Sequence, residues 1–298
     1  MPFSGENGDI LTGSEVQYHR LLALEKTGLV QAVISHRQGG ISQGPFHSLN
    51  LGLRVGDEEE LVLENRRRLL QALGLDLDAV VTAEQVHGDR IVRVGQKERG
   101  RGARSRETAI EGADGLITDE PGVVLLAFFA DCVPIFLLDP ERPAIGLAHA
   151  GWKGTVLGVA KKALAAMQRE FGTDPRRCLA ALGPSIGPCC YEVDEKVLRP
   201  LAEVYPYWRE LVTLPEEPAS ARFHRGIPPV AEGARRGHLD LWRANLRQLE
   251  EAGLRPENIA VEGICTSCQH EVYFSYRADH GRTGRFGAIF TLKEGQRR

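Results

Sequence analysis

Residues 123–171 read VVLLAFFADCVPIFLLDPERPAIGLAHAGWKGTVLGVAKKALAAMQREF, and this stretch decides the fold class. Residues 123–130, 135–138 and 144–149 are continuous apolar runs of strand length, the pattern of strands covered on both faces. The period then changes over residues 155–171. Val156, Val159, Ala160, Ala163, Leu164, Met167 and Phe171 recur at helical spacing, while Lys161, Lys162, Gln168 and Arg169 lie off that stripe. Buried strands handing over to an amphipathic helix point to a layered α/β arrangement.

The same two periods recur on either side. Strands are expected at residues 29–35, 80–85, 91–94, 115–118, 178–182, 259–265 and 286–292. Helices are expected at 60–73, stopped by Gly74, and at 240–252, capped by Asp240 and stopped by Gly253. Ten strands and three or four helices predict an α/β or α+β (mixed) domain with a large mixed sheet. Periodicity leaves the strand order open. Residues 97–108 (KERGRGARSRET) and 215–237 are expected to be exposed loops, and residues 1–10 to be loop or flexible.

A composition of 42% hydrophobic and 26% charged residues excludes a disordered chain. Asp131 and Pro134 cut the longest apolar stretch, so no segment is expected to span a bilayer. The N-terminal MPFSGENGDI lacks the basic and apolar regions of a secretory signal. A net charge of −3 disfavours a general nucleic-acid binder, which needs clustered basic excess. Six cysteines without such a signal point to reduced thiols in a cytoplasm, most of them small buried hydrophobes.

Three polar residues follow apolar runs: His87, Cys132 and His149. If their strands are neighbours pointing the same way, two imidazoles and a thiolate meet at one rim, where ligands gather in open α/β sheets. Such a set is one ligand short of a closed tetrahedron, as a catalytic zinc site is. No local ligand spacing supports the trio, and the alternative is two satisfied core-edge histidines and a buried thiol. GWKGT, residues 151–155, leads into a helix and offers amides and Lys153 to an anion; otherwise it is a tight turn with Trp152 on the core. FSYRADHGRTGRFG carries Arg277, Asp279, His280, Arg282 and Arg285, forks suited to phosphate or carboxylate, or a solvated basic loop. CTSC at 265–268 is half a metal knuckle whose second CxxC is missing.

Together, HRQGGISQGPFHSLNLG, NRRRLL, QVHG, ADGLITDEPGV, ADCVPIFLLDP, GLAHAGWKGT, LGPSIGPCCYEV and FSYRADHGRTGR resemble the motifs of the laccase-domain family. That family is also called polyphenol-oxidase-like and is described as purine nucleoside phosphorylases. The motifs run in order from His36 to Phe286. The resemblance implies a single layered α/β domain over residues 1–298, with mixed β-sheets flanked by helices and similar to cysteine-hydrolase toxins, with zinc held by His87, Cys132 and His149. It implies phosphorolysis of adenosine, inosine and methylthioadenosine, deamination of adenosine, and, for bacterial relatives, a link to peptidoglycan-precursor editing. Beside what the resemblance implies, Lys153, Arg285, Gln85 and Arg37 are the candidate substrate or phosphate ligands of this sequence. Lys153 stands where the family has Arg, which keeps the charge and loses the fork.

Chemistry sorts these activities. The older name implies copper oxidation of phenols, but nine His with no HxH pair disfavour a multicopper site, and copper is the less favoured ion. The HxE…PCxxC signature of zinc deaminases is absent, so deamination needs another acid/base, for which Asp131 is the candidate. Phosphorolysis needs phosphate held beneath the anomeric carbon, a role for Lys153 or Arg285. The rival enzyme class uses Cys132 as nucleophile and His149 as base on an amide. A third reading is a non-catalytic metal-binding protein.

Overall fold

The computed structural model describes residues 16–214 and 236–295. The expected flexible residues 1–10, and the expected loop at 215–237 up to residue 235, lie outside the described residues. In chain order the first strands are β1 (Tyr18–Arg20), β2 (Val30–Ser35), β3 (Val80–Thr82), β4 (Ile91–Arg93), β5 (Gly115–Thr118), β6 (Val124–Phe129) and β7 (Val133–Asp139). They are followed by β8 (Ala144–Ala150), β9 (Leu179–Leu182), β10 (Glu192–Asp194), β11 (Val212–Thr213), β12 (Arg236–Leu239), β13 (Ile259–Val261) and β14 (Phe286–Leu292). The helices are α1 (Leu22–Glu25), α2 (Glu59–Ala72), α3 (Trp152–Val156), α4 (Val159–Phe171), α5 (Glu195–Val204) and α6 (Leu241–Glu251).

Two mixed sheets form the frame, in the orders β1-β2-β14-β6-β3 and β13-β9-β7-β8-β5-β4; β10-β12-β11 make a small third. β7 and β8 are buried at every residue, which is why their sequences do not alternate. Alternate side chains nevertheless face different layers. Ile135 and Leu137 pack with Val159, Ala163, Leu164 and Met167 of α4 and with Leu241 and Ala244 of α6. Phe136 and Leu138 pack instead with Leu125, Phe129, Phe286 and Phe290 of the other sheet. On that sheet's far side, Leu69 and Leu70 of α2 cover Val33, Val80, Leu126 and Ile289. The result is a helix–sheet–sheet–helix sandwich.

All ten expected strands are present. Four short ones, β1, β10, β11 and β12, carry too few residues to show a period. Arg236 and Gly237, expected as loop, open β12 by pairing with Asp194 and Val193. The expected helix at 155–171 is two helices, because Gly158 adopts a left-handed φ of 79° between α3 and α4. α5 was hidden by Pro200 in its interior; Asp194 caps it by accepting from the Lys196 amide. The expected solvated loop at 97–108 is anchored, since the Gly102 and Ala103 carbonyls accept bonds of 2.8 and 2.7 Å from the buried Arg66. Among the described residues no helix is long and apolar enough to cross a membrane.

Candidate metal centre and substrate cleft

His87, Cys132 and His149 do come together, with one ligand atom from each within 4.8 Å of the others. The route differs from the expected rim of parallel neighbours. β6 belongs to the five-stranded sheet and β7 to the six-stranded one, so Asp131 and Cys132 lie where the chain crosses between layers. His149 sits within β8, opposite Pro134 of the antiparallel β7. His87 follows β3 on a loop in which Gln85 and His87 both have left-handed φ, 58° and 62°. Asp131 at the crossover has φ 89°. Non-glycine residues held there are uncommon and cluster at functional sites. Gly151 completes the cradle: a Cβ there would meet the Cys132 sulfur at 2.9 Å and the His87 ring at 3.2 Å.

Asp114 organises this set; it lies in the ADGLITDEPGV motif, although no site role was expected of it. Its carboxylate accepts from the amides of Val86, His87 and Gly88 at 3.1, 2.9 and 2.7 Å, fixing the His87 loop. It also accepts a 2.9 Å bond from His149 Nδ1, which leaves Nε2 as the ligand atom. Burial pushes the Asp114 carboxyl up, but the His149 contact and the amides more than offset it, and the net shift is downward. Burial likewise disfavours the Cys132 thiolate, yet the charge and hydrogen bonding of His149 and His87 pull its pKa down to about 6. His149 is the other half of that pair: burial lowers its pKa, and Cys132 and Asp114 raise it to about 9. Two imidazoles and a thiolate so placed, with His149 oriented by a carboxylate, are compatible with a metal ion and leave a coordination position free.

The set opens into a cleft of about 650 Å³. Asp131 and Arg285 line it with the three ligands. The Asp131 carboxylate is buried and accepts 2.7 Å bonds from Thr266, Ser275 and the Arg277 amide. Burial raises its pKa and those donors only partly counter it. Arg285 also faces the cleft, its charge disfavoured by burial and supported by Cys132 and Asp131. Gln85 lines the cleft with its side-chain amide committed to both backbone atoms of Phe128, at 2.8 and 2.9 Å. Lys153 and Arg37 are not among the lining residues. Lys153 is exposed, 5.7 Å from the Trp152 ring. Arg37 is fixed by the His47 and His270 carbonyls and lies 3.6 Å from Asp279.

Sequence reasoning missed other cleft residues. Arg54, Arg66 and Arg106 add guanidinium groups beside that of Arg277, which the FSYRADHGRTGRFG stretch had already offered, and Phe128, Tyr191 and Tyr276 add ring surface. Arg66 is fully buried, lies 4.5 Å over the Phe128 ring, and has its pKa lowered to about 9 by burial. The one available signal was NRRRLL, a basic triplet on a helix whose first arginine falls on the apolar stripe with Val62 and Leu69.

This sandwich and its His–Cys–His set mark a known class: the chain belongs to the family described as multi-copper polyphenol oxidoreductase laccase, whose model matches residues 31–293. The laccase-domain resemblance of its motifs is thereby borne out, and the chain is an enzyme. Among its relatives, purine nucleoside phosphorylase YlmD of Geobacillus stearothermophilus is 42% identical over 263 residues, 88% of this chain and 90% of that protein. The crystal structure of that YlmD matches with a TM-score of 0.82 at 40% identity, covering 96% of this chain and 99% of the other. Adenosine deaminase RL5, from an unknown prokaryotic organism, is 32% identical over 271 residues, 89% of this chain and 97% of that protein. The crystal structure of hypothetical protein YfiH from Bacillus licheniformis matches with a TM-score of 0.83 at 36% identity, covering 95% of this chain and 98% of the other.

Proposed function

We propose that the chain is a zinc-dependent purine nucleoside enzyme. It cleaves adenosine, inosine and methylthioadenosine with phosphate to the free base and (methylthio)ribose 1-phosphate, and it deaminates adenosine. The observation that carries this reading is the open His87–Cys132–His149 set at the wall of an arginine-lined cleft. The names of the YlmD and RL5 relatives support the substrate class.

A bound zinc ion supplies Lewis acidity for activating an oxygen nucleophile at neutral pH. His87, Cys132 and His149 hold it, and Asp114 keeps the His149 ring in place. Arg285, with Arg54 and Arg106, forms the phosphate-binding wall, and Arg66, committed to the Leu51, Gly102 and Ala103 carbonyls, braces it from behind. Lys153 moves to the periphery of this reading and Gln85 becomes a positioning residue for β6. Phe128, Trp152 and Tyr276 offer flat apolar surface for a purine. Asp131 is the acid/base: the Thr266 and Ser275 hydroxyls on its Oδ1 can rotate from donating to accepting, so the carboxyl can hold a proton there. The setting of this reading is the reducing cytoplasm, where cysteines serve as metal ligands more often than as disulfides. We include the full span 1–298 as one domain. Copper oxidase chemistry finds little support. Several histidine-rich sites would be needed, and among the described residues the only other ligand cluster is four cysteines.

The test is incubation of metal-analysed protein with adenosine, with and without phosphate, followed by separation of products. Adenine and ribose 1-phosphate appear only with phosphate, and inosine appears without it. Fully zinc-loaded protein that forms none of them overturns the reading. A second reading keeps one observation of its own. Cys132, His149 and Asp114 also stand in the order nucleophile, base and orienting carboxylate, as in a thiol amidase acting on peptidoglycan precursors. His87 weighs against it, since a thiol nucleophile needs only one imidazole. Chelation separates the two: it abolishes turnover by the zinc enzyme and leaves a thiol hydrolase active.

A further inference from the structure

CTSC, residues 265–268, lacks a second CxxC in the sequence, but the fold supplies the missing half. Cys189 and Cys190, on the turn before β10, bring their sulfurs to those of Cys265 and Cys268, all four within 4.8 Å of one another. The Cys268 sulfur lies 3.5 Å from that of Cys189 and 3.4 Å from that of Cys190. Zn–S bonds of about 2.3 Å in a tetrahedron separate sulfurs by roughly 3.8 Å, so these spacings match a tetrathiolate around one ion. They do not match a disulfide, whose sulfurs are about 2.05 Å apart, and Cys268 approaches two sulfurs almost equally.

The backbone is arranged for the same end. The turn of residues 187–191 is closed by bonds of 3.0 and 2.9 Å from the Cys190 and Tyr191 amides to the Gly187 carbonyl. The Gly187 amide donates to the Cys265 sulfur at 3.2 Å, the kind of bond that steadies a metal thiolate. The Gln269 amide closes the second turn on the Cys265 carbonyl at 3.0 Å. Ser185 and Cys265 form a parallel bridge that sets the two loops side by side. The expectation that most cysteines are buried hydrophobes fails here, since Cys189 and Cys268 are exposed.

We propose that Cys189, Cys190, Cys265 and Cys268 form a closed, structural tetrathiolate site for one zinc ion, separate from the catalytic set. On binding, four S–H bonds each release a proton and four Zn–S bonds form, leaving the site with a net charge of −2. The ion staples the loop after β9 to the loop after β13. Both loops buttress the turn that carries Cys132: the Ile186 amide donates to the Asp131 carbonyl at 2.9 Å, and Thr266 to its carboxylate at 2.7 Å. Arg277, whose guanidinium donates to the Cys190 carbonyl at 3.3 Å, brings positive charge to the staple.

The test is metal analysis of dialysed protein grown with added zinc. Wild type holds about two zinc ions per chain, and Cys132→Ala holds about one. X-ray absorption of the Cys132→Ala protein shows an all-sulfur shell, and cobalt loading gives it the intense thiolate-to-cobalt absorption. Cys268→Ser also holds about one ion, now in a mixed nitrogen and sulfur shell. The Cys132→Ala measurement stands even if Cys268→Ser fails to fold. Cys132→Ala protein that retains no ion, or whose intact mass shows hydrogens lost to disulfides among these four, overturns the proposal.

Discussion

The two sulfur-containing clusters each bring their ligand atoms within 4.8 Å of one another, yet they are built on different plans. The cleft set takes its three residues from separate parts of the fold, mixes imidazole with thiolate, and grades from exposed His87 to buried His149. A carboxylate behind it fixes both a ligand ring and a ligand loop. The cysteine cluster draws on two adjoining loops, has one ligand type, and is backed by a backbone amide. The first has room for a substrate at its open position; the second has none. Ligand count and the groups behind the ligands, more than the presence of sulfur, separate reactive from structural metal.

The strongest way to break this contrast is Cys132→Ala. It lowers kcat/KM for adenosine phosphorolysis on the order of 10³-fold, about 4 kcal/mol, while the cysteine cluster keeps its ion. Retained activity in that variant ends the distinction. Acid provides the next largest effect and must be separated from metal loss. His36 is buried against His19, 3.2 Å away, with the Tyr273 ring beside both and Glu262 3.4 Å from His19. Burial first, and His19 second, lower its pKa to about 4 from 6.5. Between those values the unfolded chain binds a proton that the fold refuses. His36 therefore contributes full stability above pH 6.5, and on the order of 3 kcal/mol is lost as pH falls to about 4. Denaturant titrations of the metal-free protein show this slope, and His36→Gln flattens it.

Asp114→Asn sharpens the contrast from the side of orientation. Zinc affinity at the cleft falls about 10- to 100-fold, read by competition with a chelating dye, and the cysteine cluster is unaffected. The smallest effect on catalysis is that of Cys268→Ser. Thermal scans show a lowered Tm, while kcat/KM measured well below the transition changes less than about threefold.

These residues differ in how far the sequence disclosed them. The continuous apolar runs of β6, β7 and β8 and the α4 stripe were legible because burial on both faces, or on one, leaves a periodic trace. His87, Cys132 and His149 were legible as polar residues at the ends of such runs. Their meeting across two sheets was not, since β14 inserts between β2 and β6 from the far end of the chain. Asp114 was legible as part of ADGLITDEPGV but its role was not: its partners lie 26 to 35 positions away, and an aspartate before a strand reads as a turn. Cys189 and Cys268 are 79 positions apart, and adjacent cysteines follow no familiar ligand spacing. Arg66 stands among neighbouring arginines, and its place on the stripe of Val62 and Leu69 is the one sequence trace of its burial.

The crossover at Asp131 and Cys132 has a further consequence. In the proposed zinc enzyme the ion is gripped from both layers of the sandwich at once, with His149 in one sheet, His87 beyond an edge strand of the other, and Cys132 on the seam. Loosened packing between the layers therefore shifts the ligands against one another and weakens their joint hold, beyond what the fraying of one loop does. Exchange of isotopically labelled zinc at this position becomes a clock for interlayer breathing, slow in the intact sandwich and quickened by any core substitution that loosens the seam.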